Sequence, residues 1–225
     1  MSRRPLLYHG WSDRTAKPPF GAAEIDWAHP LAQGLQGAWV FDEGVGPGRD
    51  LVTRQSAPLT VGSTPASWQV TVAGGAISHT ASTDRTQLRA DCTAVPVLPV
   101  TNATLVLGYR KRDTTNRISG AFGPNNTTGS NKFGAHLPYS DGKVYFDFAG
   151  NSEGTTRLSV ASLSVTGYHV WAFSAGTWGM EMWQDGRLVG SNGGTPTRTN
   201  IATQMLLGVH AGVASDLADY IFCYL

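Results

Sequence analysis

Residues 25–46 read IDWAHPLAQGLQGAWVFDEGVG. Within them the apolar run Ala38-Trp39-Val40-Phe41 lies between Gly37 and an Asp42-Glu43-Gly44 turn, which predicts a short buried strand over residues 37–41. The chain differs on the two sides of this strand. Upstream, Pro5, Pro18, Pro19 and Pro30 punctuate residues 1–34, each fixing φ and removing a backbone donor. The same segment carries Leu6, Leu7, Tyr8, Trp11, Phe20 and Trp27, more apolar surface than a freely solvated tail presents. It reads as an extended N-terminal arm that docks on something; the alternative is a tail folded back on its own domain. Glu24 and Asp26 suit a helix start, so a short helical turn over residues 22–27 is also expected.

Downstream, turn and strand signals alternate. Residues 44–66 are loop-rich, with one weak strand near residues 51–53. Trp68, Val70 and Val72 share a face of the next strand, and Gly74-Gly75 turns the chain into residues 76–79 as a hairpin. Residues 101–111 read as a long strand with Ala103, Leu105, Leu107 and Tyr109 on one face. Residues 118–122 follow, and then a polar loop. Residues 133–137, a Ser140-Asp141-Gly142 turn and residues 144–148 form a hairpin. In its second strand Val144, Phe146 and Phe148 point one way, Tyr145 and Asp147 the other. Residues 158–165, 169–174, 180–183 and 188–191 continue the pattern, the last two joined by Asp185-Gly186. Residues 205–209 and 219–225 close it. Roughly a dozen strands at this spacing predict a two-sheet sandwich.

Composition agrees. The chain has 225 residues, 27 of them glycine and 12 proline, and only 15% are charged. That suits a single all-β domain with many short strands and tight turns. Net charge is +1. The densest basic cluster, Arg110-Lys111-Arg112, is followed at once by Asp113 and reads as a solvated strand end, so no nucleic-acid partner is expected. Cys92 and Cys223 make no disulfide framework or metal motif. Buried free thiols are the expectation, with pairing left open should one sheet bring them together. No apolar run of about 18 residues occurs, so no membrane insertion is expected. The basic start MSRRPLLYHGW lacks a following apolar stretch, which predicts no Sec export and synthesis in the cytoplasm. The glycosylation matches at Asn102, Asn125 and Asn126 then carry no meaning.

The second half also carries a resemblance. TGYHVWAFSAGTWGMEMWQDGRLVGSNG, residues 166–193, resembles the central meander of the laminin-G-like (concanavalin-A-like) jelly-roll domains common in bacteriophage structural proteins. The matching positions are Tyr168, His169, Val170, Gly176, Trp183, Asp185, Gly186, Leu188 and Val189. MLLGVHAG and SDLADYIFCYL resemble that family's later strands, so the match covers about residues 28–225. KPPFGAAEIDWAHPLAQGL resembles the Pro-rich lead-in of phage and prophage members. The resemblance implies an arm over residues 1–34 and a jelly-roll sandwich over residues 35–225. It also implies a protein that binds or decorates more often than it catalyses. The acidic residues that hold calcium in some relatives have no counterpart here, so no metal site is carried over, and no cofactor is expected.

Catalytic chemistry finds little to stand on. Retaining glycoside hydrolysis needs two carboxylates about 5–5.5 Å apart, which on one strand means positions i and i+2. The Glu-x-Asp-x-x-Glu pattern is absent, Asp42 and Glu43 are adjacent and face opposite ways, and Asp216 and Asp219 lie three apart. Capping or turn roles fit these acids better. The six histidines are scattered and make no close pair, and no Gly-x-Ser-x-Gly elbow occurs. His169, beside Trp171 and Phe173, reads as a sheet-face histidine.

The expectation is therefore a non-enzymatic structural component of a phage virion, decorating the capsid or mounted on the tail. Its arm would dock through Arg3, Arg4, Leu6, Leu7, Tyr8 and Trp11 on other virion proteins. The sandwich, as a homo-oligomer, would be exposed, with a host-surface glycan as a candidate ligand. The alternative is a free carbohydrate-binding module. Trp178 is the candidate glycan-stacking residue there, against the plainer reading that it caps a hairpin.

Overall fold

The computed structural model describes residues 23–59, 66–71, 74–79, 86–88, 101–112, 120–124, 132–161, 163–197, 205–208 and 218–224. The candidate arm residues Arg3, Arg4, Leu6, Leu7, Tyr8 and Trp11 lie outside these, as do Cys92 and Asp113. Among the described residues the chain forms sixteen strands. These are β1 (Ala38–Trp39), β2 (Gly48–Arg49), β3 (Ser56–Ala57), β4 (Ser67–Thr71), β5 (Gly74–His79), β6 (Thr86–Leu88), β7 (Ala103–Lys111) and β8 (Phe122–Pro124). They continue as β9 (Phe133–His136), β10 (Val144–Phe148), β11 (Arg157–Val160), β12 (His169–Gly176), β13 (Gly179–Gln184), β14 (Arg187–Asn192), β15 (Met205–Leu207) and β16 (Ala218–Tyr224). The expected all-β antiparallel sandwich is what forms. An eight-stranded sheet runs β14-β13-β12-β7-β16-β5-β4, with β1 also paired to β16, and a six-stranded sheet runs β11-β10-β9-β8-β15-β6.

The alternation read from the sequence fills the space between the sheets. Leu105, Leu107 and Tyr109 of β7 and Trp171 and Phe173 of β12 face Phe133, Phe146 and Phe148 of the smaller sheet, all of them buried. Two inward tyrosines reach the backbone of the opposite sheet. The Tyr109 hydroxyl donates to the Leu137 carbonyl at 3.0 Å, and that of Tyr220 to the Ala121 carbonyl at 2.7 Å. Each ring is thereby buried without stranding its polar tip.

Local chemistry moves several elements from where periodicity puts them. The first strand stops at Trp39, because Phe41 takes a left-handed φ of 55° that a ladder cannot continue. Residues 51–53 form a turn rather than a strand. The buried Asp50 carboxylate organises it, accepting from the backbone N–H of Ala38 and Val52 and from the Thr53 hydroxyl. No helical turn forms over residues 23–27. Asp26 instead accepts the Ala28 N–H in a local turn, and the helical geometry falls at Pro30–Ala32, a 3-10 turn capped by His29 Nδ1. Proline suits that first position, where its missing N–H costs nothing. In the β4–β5 hairpin Thr71 pairs with Gly74, so Gly74 and Gly75 belong to the strand and not to the turn. Val70, read as sharing a face with Trp68, is 93% exposed at the sheet edge, while Trp68 packs against the core. The strand expected over residues 118–122 runs instead from Phe122 to Pro124 among the described residues.

The meander of the larger sheet forms as read. Asp185 and Gly186, at φ 51° and 79°, make the two-residue turn between β13 and β14. Both central residues of a type I′ hairpin need positive φ, which Asp-Gly supplies at low strain.

Candidate functional site

The outer face of the six-stranded sheet gathers a set of aromatic and charged side chains. Register does the gathering. Tyr145 of β10 pairs with His136 on one side and Ser159 on the other, while Asp147 lies between Gly134 and Arg157. Because side chains alternate, these residues share the face opposite the core. Asp147 is fully buried there, and Arg157 holds it through Nε at 2.6 Å and Nη2 at 2.7 Å. The same guanidinium lies 4.6 Å from the centre of the Tyr145 ring. Hydrogen bonding to Asp147 raises the Arg157 pKa beyond its already high value.

The Tyr145 hydroxyl donates to Asp141 Oδ2 at 2.6 Å. Burial first, and then this bond, push the phenol up to about 12, while the same bond holds the Asp141 carboxyl below its usual range. His136, Tyr139 and Tyr145 meet edge to face, with centroids 4.9, 6.2 and 5.7 Å apart. Lys132 stands nearby with its pKa lowered, chiefly by burial; Asp147 opposes that shift and Arg157 adds to it. The result is an aromatic patch with hydrogen-bond donors and acceptors around it. Such a surface matches a sugar ring, which offers an apolar C–H face and a fringe of hydroxyls.

A second feature lies on the outer face of the larger sheet. Arg110, Arg112, Tyr168, Asp219, Gln69 and Thr71 line a depression of about 220 Å³. Asp219, almost wholly buried, pairs with Arg110 Nη2 and accepts from the Ser78 hydroxyl at 2.7 Å. Arg112 Nε stands 3.9 Å from the same carboxylate. The Arg110-Lys111-Arg112 run is thus no solvated strand end. Lys111 turns inward and is 1% exposed, and the arginines answer Asp219, more than a hundred residues along the chain.

Trp178 sits in the turn joining β12 to β13 and is 52% exposed. One face of its ring lies against Gly176, where a Cβ would come within 2.5 Å of it; only glycine allows that approach. Trp183 is partly buried, its indole N–H donating to Glu181 Oε2 at 3.2 Å. Trp178 and Tyr168 bracket the eight residues of β12, so roughly 25 Å separates them. The structure does not bring Trp178 and the Arg110 depression into one site. His169, the sheet-face histidine, meets Asp185 Oδ2 through Nδ1 at 2.7 Å. Glu43 takes the turn role expected of it, accepting the Arg49 N–H at 2.7 Å. Among the described residues no group of three or more His, Cys, Asp or Glu side chains is placed to hold a metal ion.

The sequence pointed Tyr145 and Asp147 outward, yet nothing in it marked them as parts of a site. The signal was there in part: an aspartate and a tyrosine flanking a core phenylalanine must share a face. That Arg157 covers both depends on strand order, which no single segment encodes.

No family model and no curated protein matches this sequence. Solved structures do. Domain 4 of AbnA, a GH43 extracellular arabinanase from Geobacillus stearothermophilus, solved in complex with arabinotriose, is similar at a TM-score of 0.61 and 13% identity. That match covers 84% of this chain and 91% of the other. The binding domain of botulinum neurotoxin DC in complex with SialylT is similar at a TM-score of 0.63 and 8% identity, over 86% of this chain and 48% of that one. Trypanosoma rangeli sialidase in complex with sialic acid gives 0.56 and 11%, over 96% and 35%. The chain therefore spans nearly the whole of the arabinanase domain, about half of the toxin binding domain and about a third of the sialidase. At these identities the likeness is one of fold: this chain shares the β-sandwich of domains solved with saccharides.

Proposed function

We propose that this chain is a non-catalytic, lectin-like module that binds saccharide on the outer face of its six-stranded sheet. The observation that carries the reading is the edge-to-face cluster of His136, Tyr139 and Tyr145, bordered by the Asp147–Arg157 ion pair. Tyr139 supplies the ring for stacking, since Arg157 already covers a face of Tyr145. Asp141, Lys132 and Glu153 supply hydrogen bonds around it. The fold's likeness to an arabinanase domain solved with arabinotriose and a toxin domain solved with SialylT supports a glycan as the ligand class. The absence of a paired-carboxylate pattern from the sequence supports binding without turnover.

The test is a glycan array followed by calorimetry on the best ligand. Tyr139→Ala should weaken binding about tenfold or more while the domain stays folded, and no glycan should be hydrolysed. Binding unaffected by Tyr139→Ala would move the site elsewhere, and turnover would overturn the non-enzymatic reading.

Display on a phage virion is the second proposal, supported by the sequence resemblance of the Pro-rich lead-in. In it the first 34 residues anchor a homo-oligomer to capsid or tail proteins, and the sandwich contacts host-surface glycan. Co-sedimentation of the full chain with phage particles, lost when residues 1–22 are deleted, is the expected result. Equal co-sedimentation of both forms would remove the anchor role.

A further inference from the structure

The depression between Arg110 and Tyr168 is built differently from the aromatic face, and it lies on the opposite sheet. Register places it. Asp219 of β16 stands directly across from Ser78 of β5 and Arg110 of β7, so all three project from one row of the outer face. Both carboxylate oxygens of Asp219 are occupied, Oδ1 by the Ser78 hydroxyl and Oδ2 by Arg110. Arg112 reaches the same cluster, donating through Nη1 to Ser78 Oγ at 2.8 Å. Among the described residues two guanidinium groups therefore share one carboxylate.

Two buried polar atoms here also lack a hydrogen-bond partner. Arg110 Nε has none, and neither has the Tyr168 hydroxyl, although the guanidinium lies only 4.8 Å from the centre of the Tyr168 ring. Buried polar groups are nearly always paired, so two such atoms on neighbouring side chains of one depression call for an acceptor from outside the fold. Gln69, Val70 and Thr71 complete the lining and bring no charge of their own. At about 220 Å³ the space is smaller than the roughly 300–1,000 Å³ of pockets that enclose drug-sized ligands. It admits one sugar residue or its acidic substituent, and not a chain.

From this geometry we propose that the depression binds an oxyanion carried by a saccharide, a carboxylate or a sulfate, held by Arg110, Arg112 and the Tyr168 hydroxyl. Guanidinium groups suit either oxyanion, since their N–H donors match its oxygens in a plane. The assignment rests on the glycan-binding reading for the saccharide and on the cluster itself for the anion. The module would then grip an acidic glycan on one sheet and a neutral sugar ring on the other.

The experiment titrates the full chain with lactose, 3′-sialyllactose, 3′-sulfolactose and inorganic sulfate, following the arginine Nε–H signals by NMR and affinity by calorimetry. Tyr168→Phe is the main variant, because the hydroxyl it removes has no partner in the fold and its loss should leave stability intact. Arg112→Gln is the second. At least one acidic lactose should bind more tightly than lactose, with Tyr168→Phe and Arg112→Gln each weakening it about tenfold. The better of the two acidic sugars tells carboxylate from sulfate. Acidic sugars that bind no better than lactose, or a Tyr168→Phe variant that loses nothing, would overturn the proposal. If lactose binds through Tyr139 while sulfate leaves the arginine signals unmoved, this site falls and the glycan reading stands. If sulfate moves those signals in wild type and not in Tyr168→Phe while no sugar binds, the anion site stands and the glycan reading falls.

Discussion

Arg157 grips the fully buried carboxylate of Asp147 through two parallel hydrogen bonds, Nε at 2.6 Å and Nη2 at 2.7 Å. The pair sits outside the core, on the face that carries the candidate site. A buried carboxylate stripped of a bidentate arginine keeps its desolvation cost and loses much of its compensation. Arg157→Ala should therefore destabilise the domain by about 3 kcal/mol, and Arg157→Lys by less. Urea denaturation of both variants checks it, and an unchanged midpoint for Arg157→Ala would mean that Asp147 is satisfied without the pair.

The Tyr145–Asp141 bond predicts a stability change at each end of the pH range. The Tyr145 phenol is raised to about 12, so its contribution is whole below roughly pH 10 and lost as pH climbs through about 12. Asp141 is shifted down, so its contribution is whole above roughly pH 4 and lost as pH falls through the lowered value. Tyr145→Phe should flatten both limbs. Denaturation midpoints across pH, wild type against variant, give the answer; parallel curves would exclude the coupling.

Gly176→Ala tests the platform under Trp178. The added methyl would stand within 2.5 Å of the far end of the indole, which is half exposed and free to swing away. The cost should be modest, on the order of 1 kcal/mol. Trp178 fluorescence should shift to the red as the ring leaves the backbone, measured against a Trp178→Phe background. No spectral change would place the ring elsewhere in solution.

Cys223 is fully buried, and burial, with a smaller push from Asp50, raises its thiol far above the ordinary cysteine range. A thiolate is the reactive species, so Cys223 should resist a thiol reagent such as DTNB in the folded protein. In a Cys92→Ser background, native protein should release no colour within the time that urea-unfolded protein releases one equivalent. Prompt reaction in the native state would mean that β16 opens readily.

Legibility in the sequence tracked the range of the interactions. The hairpin around Asp185-Gly186 and the alternation of β7 are local, and both could be read directly. Phe41 and Asp50 defeated periodicity for a local reason of another kind: one takes a left-handed backbone and the other folds a turn around its carboxylate. The candidate sites were hidden because their partners are distant. Ser78, Arg110 and Asp219 meet only when β16 inserts between β5 and β7. Read alone, Arg110 sits in a run of charge at the end of a strand, and nothing local in the sequence points to Asp219.

That insertion governs how the protein is made. β5 and β7 are not neighbours; β16 separates them and also holds β1. A nascent chain leaving the ribosome therefore carries its larger sheet as two pieces with facing open edges until residues 218–224 emerge. Pairing of such high sequence separation is slow, and unpaired edges invite other chains. Stalled or clipped products that lack β16 should accumulate as aggregates rather than as a smaller folded domain, and chaperone demand should fall on the step at which β16 pairs.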